Sequence, residues 1–422
     1  MAGKPAVGQA FQWYREGEFA RALEAARRLL EVDPSDVNAL HVAGLATARL
    51  GDAAGGLALI ERALAAAPAS VPLWLSRGKV LLDAGREDEA REAFAKAAAL
   101  DPAGYNAHLE LGLLDAKRSR PRDAARSLLR AWRSRHDDVF AQRELFELLR
   151  AHPREFAAAP PAPRAPVARP RITLVICSID PVKFEAAKRS FARAFGDWEY
   201  ELLGIHDARS LAEAYNRALR ACRGEIVVFS HDDVDVLSAD LGGALARAFE
   251  RADVVGVVGS ARLAGPAWGW AGREPARGRI VQPALQGEGL ELLVFGAPCA
   301  IEPGLEALDG VFLAARRDQA LSLAFDEEAF DGFHLYDLDF TYRAARQGLR
   351  VAVTPEILLH HHSHGSFDAR WSPYANRFVA KFPALASSPK PDFVPQRLAF
   401  ATSGEAAAFS SRLDALCREG EA

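Results

Sequence analysis

Glycine and proline return along the first third of this 422-residue chain at one fixed interval. Pro34, Pro68 and Pro102 are spaced by 34 residues, as are Gly17, Gly51 and Gly85, and Gly44, Gly78 and Gly112. Ala63, Ala97 and Ala131 share one position of that frame, and Leu40 and Trp74 share another. Each period reads as two amphipathic helices, with glycine allowing the turn between them and proline starting the step to the next unit. A helix pair of this kind cannot bury its apolar face alone, so the units must stack on their neighbours. The last unit departs from the frame, with Ser119 where the glycine is due and His136 where the proline is due.

This period and its Gly, Ala and Pro pattern resemble the tetratricopeptide repeat. The match runs over about residues 3–138 as four units, with 139–151 as a capping helix, giving a repeat domain at 3–151. Such an array has no chemistry of its own. Its concave surface suits a peptide or a protein partner, with self-association as the alternative.

Residues 157–170, AAAPPAPRAPVARP, admit neither helix nor central strand, because proline lacks the N–H and disfavours the helical region before it. Residues 152–170 therefore read as a semi-rigid linker. Beyond it the period changes. Strands are expected at 171–179, 200–205, 225–230 and 254–260, with helices over about 181–195, 211–222 and 239–251. Strands alternating with helices predict a parallel α/β sheet covered on both faces, with ligands beyond the carboxyl ends of its strands.

The net charge of −4 gives no basic excess for nucleic acid. No apolar run reaches the length of a membrane span, and the expected location is cytoplasmic. Cys177, Cys222, Cys299 and Cys417 lie far apart, without metal-site or disulfide-framework spacing.

Several stretches carry candidate chemistry. IVVFSHDDVD (226–235) ends an apolar strand in the adjacent carboxylates Asp232 and Asp233, which suit either a cation or an ordinary polar turn. Asp309-Gly310 reads as a tight turn or a hydroxyl-binding position. FHLYDLDF (333–340) puts Asp337 and Asp339 at a helix start, where a carboxylate can cap the helix or accept a proton. There the helix dipole and free N–H groups are expected to keep Asp337 ionised. His360, His361, His362 and His364 follow a short strand. Residues 259–283 read as a glycine-rich loop bearing Trp268 and Trp270, able to close over a ligand or to fold a tryptophan into the core.

The order of these motifs over about 171–382 resembles the GT-A glycosyltransferases, in the family-2-like group and in a branch whose metal motif reads H-x-D-V. The resemblance implies a multidomain chain: all-α repeats, then a Rossmann-like α/β domain at 171–382 and a C-terminal extension at 383–422. It implies a hexosyltransferase-type enzyme using a nucleotide-sugar donor, a protein or glycan acceptor and Mn²⁺ or Mg²⁺, with inversion at the anomeric carbon. By position in the motifs, Asp233, His362 and Asp232 would hold metal, with His360 and His364 as alternatives to His362. Cys177, Ser178, Ile179, Asp207 and Asp232 would contact the nucleotide. Asp337 would be the base, and Asp309, Asp339 and Trp270 would meet sugar or acceptor. Arg343 matches the arginine of the family's helix, while Tyr336 replaces its usual glutamate. Two alternatives stay open: a nucleotidyltransferase, and a non-catalytic scaffold with a ligand-binding transferase-like domain.

Overall fold

The computed structural model describes residues 7–157, 167–365, 367, 369–385 and 395–419. The chain divides into two compact units, Met1–Glu155 and Phe156–Ala422. Residues 158–166 of the proline-rich stretch lie outside the described residues.

The first unit is a run of helix pairs: α1 (Val7–Arg15) with α2 (Phe19–Leu30), then α3 (Val37–Arg49) with α4 (Ala53–Ala66). The next are α5 (Val71–Asp83) with α6 (Glu87–Leu100), and α7 (Tyr105–Lys117) with α8 (Pro121–Ser134), closed by α9 (Val139–Ala151). Helices pair closely because the recurring glycine leaves room: a Cβ on Gly78 in α5 would sit 2.4 Å from the Phe94 ring of α6. Ala63, Ala97 and Ala131 are buried on the facing helices.

Within the pairs Gly17, Gly51 and Gly85 adopt left-handed backbone, φ 82°, 101° and 72°. Ser119 takes the same conformation, φ 56°, without glycine's freedom. A residue with a Cβ is disfavoured there by roughly 1–2 kcal/mol. We expect Ser119→Gly to stabilise the full chain's repeat unit by about 1 kcal/mol in denaturant unfolding; an unchanged or lower midpoint would contradict this reading of the turn.

The second unit opens with β1 (Ile172–Cys177), α10 (Pro181–Phe195), β2 (Tyr200–Ile205), α11 (Leu211–Ala221) and β3 (Ile226–Ser230). Asp180 starts α10 by accepting from the N–H groups of Val182 and Lys183, with Pro181 at the first helical position. There follow β4 (Val234–Val236), α12 (Leu241–Arg251), β5 (Val254–Gly256), β6 (Val258–Ser260), β7 (Ala276–Pro283) and β8 (Leu290–Phe295). After these come β9 (Glu302–Pro303), β10 (Ala307–Leu308), β11 (Phe312–Arg316), α13 (Arg317–Leu323) and α14 (Tyr336–Arg346). The last elements are β12 (Val351–Val353), β13 (Leu359–His361), α15 (Ser372–Lys381), β14 (Gln396–Phe400) and α16 (Ser403–Glu419).

The main sheet has the order β2-β1-β3-β11-β5-β12-β9. Strands β2, β1 and β3 are parallel, as the alternation predicts. The sheet as a whole is mixed, however, because β11 enters antiparallel between β3 and β5. Its side chains are buried, and a buried apolar run does not record its own direction. The expected strand at 254–260 is split: β5 stays in the main sheet, while β6 joins a second sheet ordered β10-β6-β7-β13-β4, with β8 beside β7 and β14 beside β8.

The stretch 259–283 is not a free loop. Its last eight residues are β7, paired with β8 from Gly278 to Pro283. Arg279 on β7 is buried, with its guanidinium 2.7 Å from Asp414 of α16. Among the described residues of 383–422, β14 pairs antiparallel with β8. Cys417 of α16 forms a disulfide with Cys299, 118 residues away, a pairing that cysteine spacing did not suggest.

Candidate active site

Beyond β3 the chain bends through Asp232 and Asp233 before β4 begins. Strand β4 runs antiparallel to β13, pairing Asp235 with His360 and Val234 with His361. Successive side chains on a strand point to opposite faces. Val234, Val236 and Leu359 face the core, so His361 shares their side and His360 the other. The bend turns the Asp233 carboxylate toward His361, whose Nε2 lies 3.3 Å from Oδ1. His231 approaches the same oxygen at 3.9 Å through Nδ1. One potential ligand atom from each of His231, Asp233 and His361 lies within 4.8 Å of the other two.

Burial alone would raise the Asp233 carboxyl, but hydrogen bonding to His361 and the charge of that imidazole, helped by Ser363 and His231, hold it well below the usual carboxylate range. Burial and the neighbouring His361 push the His231 imidazole down, favouring the neutral, ligand-competent form.

Two expected partners of Asp233 stand elsewhere. His362 turns its Nε2 to Asp235, 3.0 Å from Oδ2, so His361 replaces it beside Asp233. Asp232 points toward the end of β1, where its Oδ2 is 2.5 Å from the Ser178 hydroxyl. His364 is exposed beyond the strand.

Tyr336 links this cluster to α14. Its buried phenol donates to the Gly310 carbonyl at 3.2 Å and lies 3.1 Å from His231 Nε2. The next residue, Asp337, is in the first turn of α14, and its Oδ2 accepts from the Gly310 N–H at 2.7 Å. A Cβ on Gly310 would meet the Tyr336 hydroxyl at 2.4 Å and the Asp337 carboxylate at 2.9 Å, so the Asp309-Gly310 turn must be glycine here for reasons of space. Asp309 accepts from the Trp268 indole N–H at 3.0 Å through Oδ2 and from the Val311 N–H at 3.0 Å through Oδ1. Asp309, Asp337, His231, Asp233 and His361 thus stand in one connected set, tied by the Asp309-Gly310 turn and Tyr336.

The ionisation of Asp337 differs from the expectation. Burial, with the charge of Asp309 added, pushes its carboxyl up to about 7. Backbone N–H groups at the helix start pull the other way and are outweighed.

Asp339 does not face this set. It is fully buried, 2.8 Å from the Arg343 guanidinium and 2.5 Å from the Lys381 ammonium. Paired with two cations, it ties α14 to α15 and has no surface for a sugar. Trp270 packs against Trp371 with ring centroids 6.1 Å apart, and Trp268 is the tryptophan that reaches Asp309.

The positions expected for the nucleotide lie at the ends of β1 and β2. Cys177 is half-buried, and desolvation pushes its thiol up to about 12. Ser178 meets Asp232, Ile179 is exposed, and Asp207 is held 2.7 Å from Arg217, which lowers its carboxyl. His206, which the sequence did not single out, is 2.8 Å from the Ser178 carbonyl through Nδ1. His231, His361 and Trp268 were also unassigned: His231 lay inside a quoted motif, and His361 inside the histidine run.

Residues 173–382 match the model of the "Glycosyltransferase like family". This segment is a glycosyltransferase-like domain. It contains every residue of the connected set above. A protein described as "ATP synthase subunits region ORF 6" from Fuscovulum blasticum is 25% identical over 222 residues, which span 49% of this chain and 82% of that protein. The solved structure titled "Crystal structure of MamA" is similar over 34% of this chain and 84% of its own, at 17% identity and TM-score 0.32. The structure titled "Functional Characterization of Pseudomonas Aeruginosa pilF" is similar over 36% and 68%, at 20% identity and TM-score 0.33. No helix among the described residues is long and apolar enough to cross a membrane.

Proposed function

We propose that the transferase-like domain moves a hexose from a nucleotide-sugar to an acceptor hydroxyl, with inversion in a single in-line displacement and a divalent cation on the diphosphate. The observation that carries this reading is the joining of Asp337 to the His231, Asp233 and His361 cluster through Tyr336 and Gly310. An acid-base group joined to a candidate cation cluster is what sugar transfer from a diphosphate needs.

His231, Asp233 and His361 would hold the cation. Two imidazoles and one carboxylate fit Mn²⁺ better than Mg²⁺, which takes oxygen ligands almost alone. When bound, the cation neutralises the charge that gathers on the leaving diphosphate. The chain's own groups do the rest. Asp337 takes the proton of the acceptor hydroxyl on its carboxylate. Asp309, fixed by the Val311 N–H and the Trp268 indole, is placed to accept from a sugar or acceptor hydroxyl. Ser178, Asp232 and Asp207 line the strand ends where the nucleotide would lie.

Tyr336 stands where the family resemblance expects a glutamate, a loss that a non-catalytic scaffold would also show. Its hydroxyl orients His231 and the Asp309-Gly310 turn, so the replacement of an acid leaves Asp337 in place. In the repeat unit, Glu61, Leu64, Trp74, Arg77, Glu92 and Lys96 line a groove of mixed charge around an aromatic ring. That groove suits a peptide of a protein acceptor or partner. The reading is tested by calorimetry with nucleoside diphosphates. At least one should bind the full chain in Mn²⁺ and lose most of its affinity in excess chelator; equal binding in chelator would remove the cation from the account.

A further inference from the structure

Residues Asp235, His360 and His362 form a second three-residue group on the other face of the β4–β13 pair. One potential ligand atom from each lies within 4.8 Å of the other two. His362 Nε2 stands 3.0 Å from Asp235 Oδ2, and the two imidazole rings are 4.2 Å apart between centroids. The other carboxylate oxygen of Asp235 faces Arg193 at 3.8 Å, which leaves Oδ2 directed at the histidines.

A second observation points to a ligand. His360 is only 8% exposed, and its Nε2 is buried without a hydrogen-bond partner. A buried polar atom left unmatched is costly, and native proteins satisfy nearly all of them. A metal ion would satisfy this one. The exposed His362 side chain leaves an entry path from solvent.

We propose that Asp235, His360 and His362 bind a borderline transition-metal ion such as Zn²⁺, separate from the cation of the active site. Two imidazoles and a carboxylate are the donor set such ions prefer over Mg²⁺ or Ca²⁺, and water completes the tetrahedron. The metal clamps β4 to β13 on the strand face opposite the active-site cluster.

The test is equilibrium dialysis of the full chain, free of any added histidine tag, against Zn²⁺ alone. Bound metal is counted for wild type, Asp233→Ala, His362→Ala, Asp235→Asn and the Asp233→Ala/His362→Ala pair. His362 and Asp235 have part-exposed side chains, and the unfolding midpoint of each variant checks that the fold is kept. Loss of a hydrogen-bond partner behind a ligand already weakens a site about 10–100-fold, so loss of a ligand is expected to weaken this one by at least about a hundredfold. Wild type should bind one equivalent per cluster, each single variant should lose one, and the pair should lose both. If His362→Ala and Asp235→Asn both bind as wild type does, the second site is wrong, whatever Asp233→Ala does. If only Asp233→Ala binds as wild type does, the second site stands and the active-site cation falls.

Discussion

Asp337→Asn should reduce sugar transfer by about two to four orders of magnitude, the usual worth of general-base catalysis, while nucleoside diphosphate binding survives. Asparagine keeps the size of the side chain and can still accept from the Gly310 N–H, so the turn holding Asp309 is preserved. What it cannot do is take a proton. Asp339→Asn is not a mild control. Asp339 is buried between Arg343 and Lys381, and neutralising it leaves two cations short of their partner. That variant should lose stability and be judged by unfolding rather than by rate.

The ionisation of Asp337 gives the same residue a second signature. Its carboxyl titrates at about 7 in the protein without metal. A base works deprotonated, so the rate should rise with pH along a limb centred at or below about 7, the bound cation drawing it lower. For stability the sign is opposite. Between the ordinary value of 3.8 and about 7 the folded chain keeps a proton that the unfolded chain has released. The Asp337 contribution to metal-free stability should therefore fall as pH rises through that window, and the difference between wild type and Asp337→Asn isolates it from the opposite trend of the histidines held neutral, such as His231 and His360. Urea midpoints at a series of pH values measure it directly.

The second large effect concerns the cation cluster. Asp233→Ala and His361→Ala should each abolish Mn²⁺-dependent donor binding, because each removes a ligand from a set of three. His362→Ala should leave donor affinity within a few fold, since its imidazole serves Asp235 on the other strand face. The contrast between two neighbouring histidines is the point. If His362→Ala abolishes donor binding and His361→Ala leaves it intact, the strand faces have been assigned the wrong way round.

Much of this could be read from residues alone, and the failures have physical causes. The helix at 181–195 was legible to its ends because Asp180 and Pro181 make a start signal that needs no tertiary help. The repeat frame was legible because its glycines and alanines answer to contacts inside each helix pair. Strand direction was not, since burial of Leu313 and Ala315 is the same whether β11 runs with or against β3. His361 was passed over because an extended run groups His360 with His362, and only the bend at Asp232 and Asp233 brings the intervening residue to the carboxylate. Asp337 was found by motif, but its ionisation depends on burial and on Asp309, 28 residues earlier, which local helix rules do not contain. Arg343, four residues on, is a local partner of Asp339, but its second partner, Lys381, is connected to it by no local pattern.

Release of free nucleoside diphosphate from a panel of nucleotide-sugars, by the full chain in Mn²⁺ with and without a glycan or peptide acceptor, tests the central claim most directly. At least one donor should be turned over, with turnover lost in excess chelator and reduced at least about a hundredfold in Asp337→Asn. Turnover of a donor that persists undiminished in both chelator and Asp337→Asn would contradict the account, as would a panel in which none is bound or cleaved.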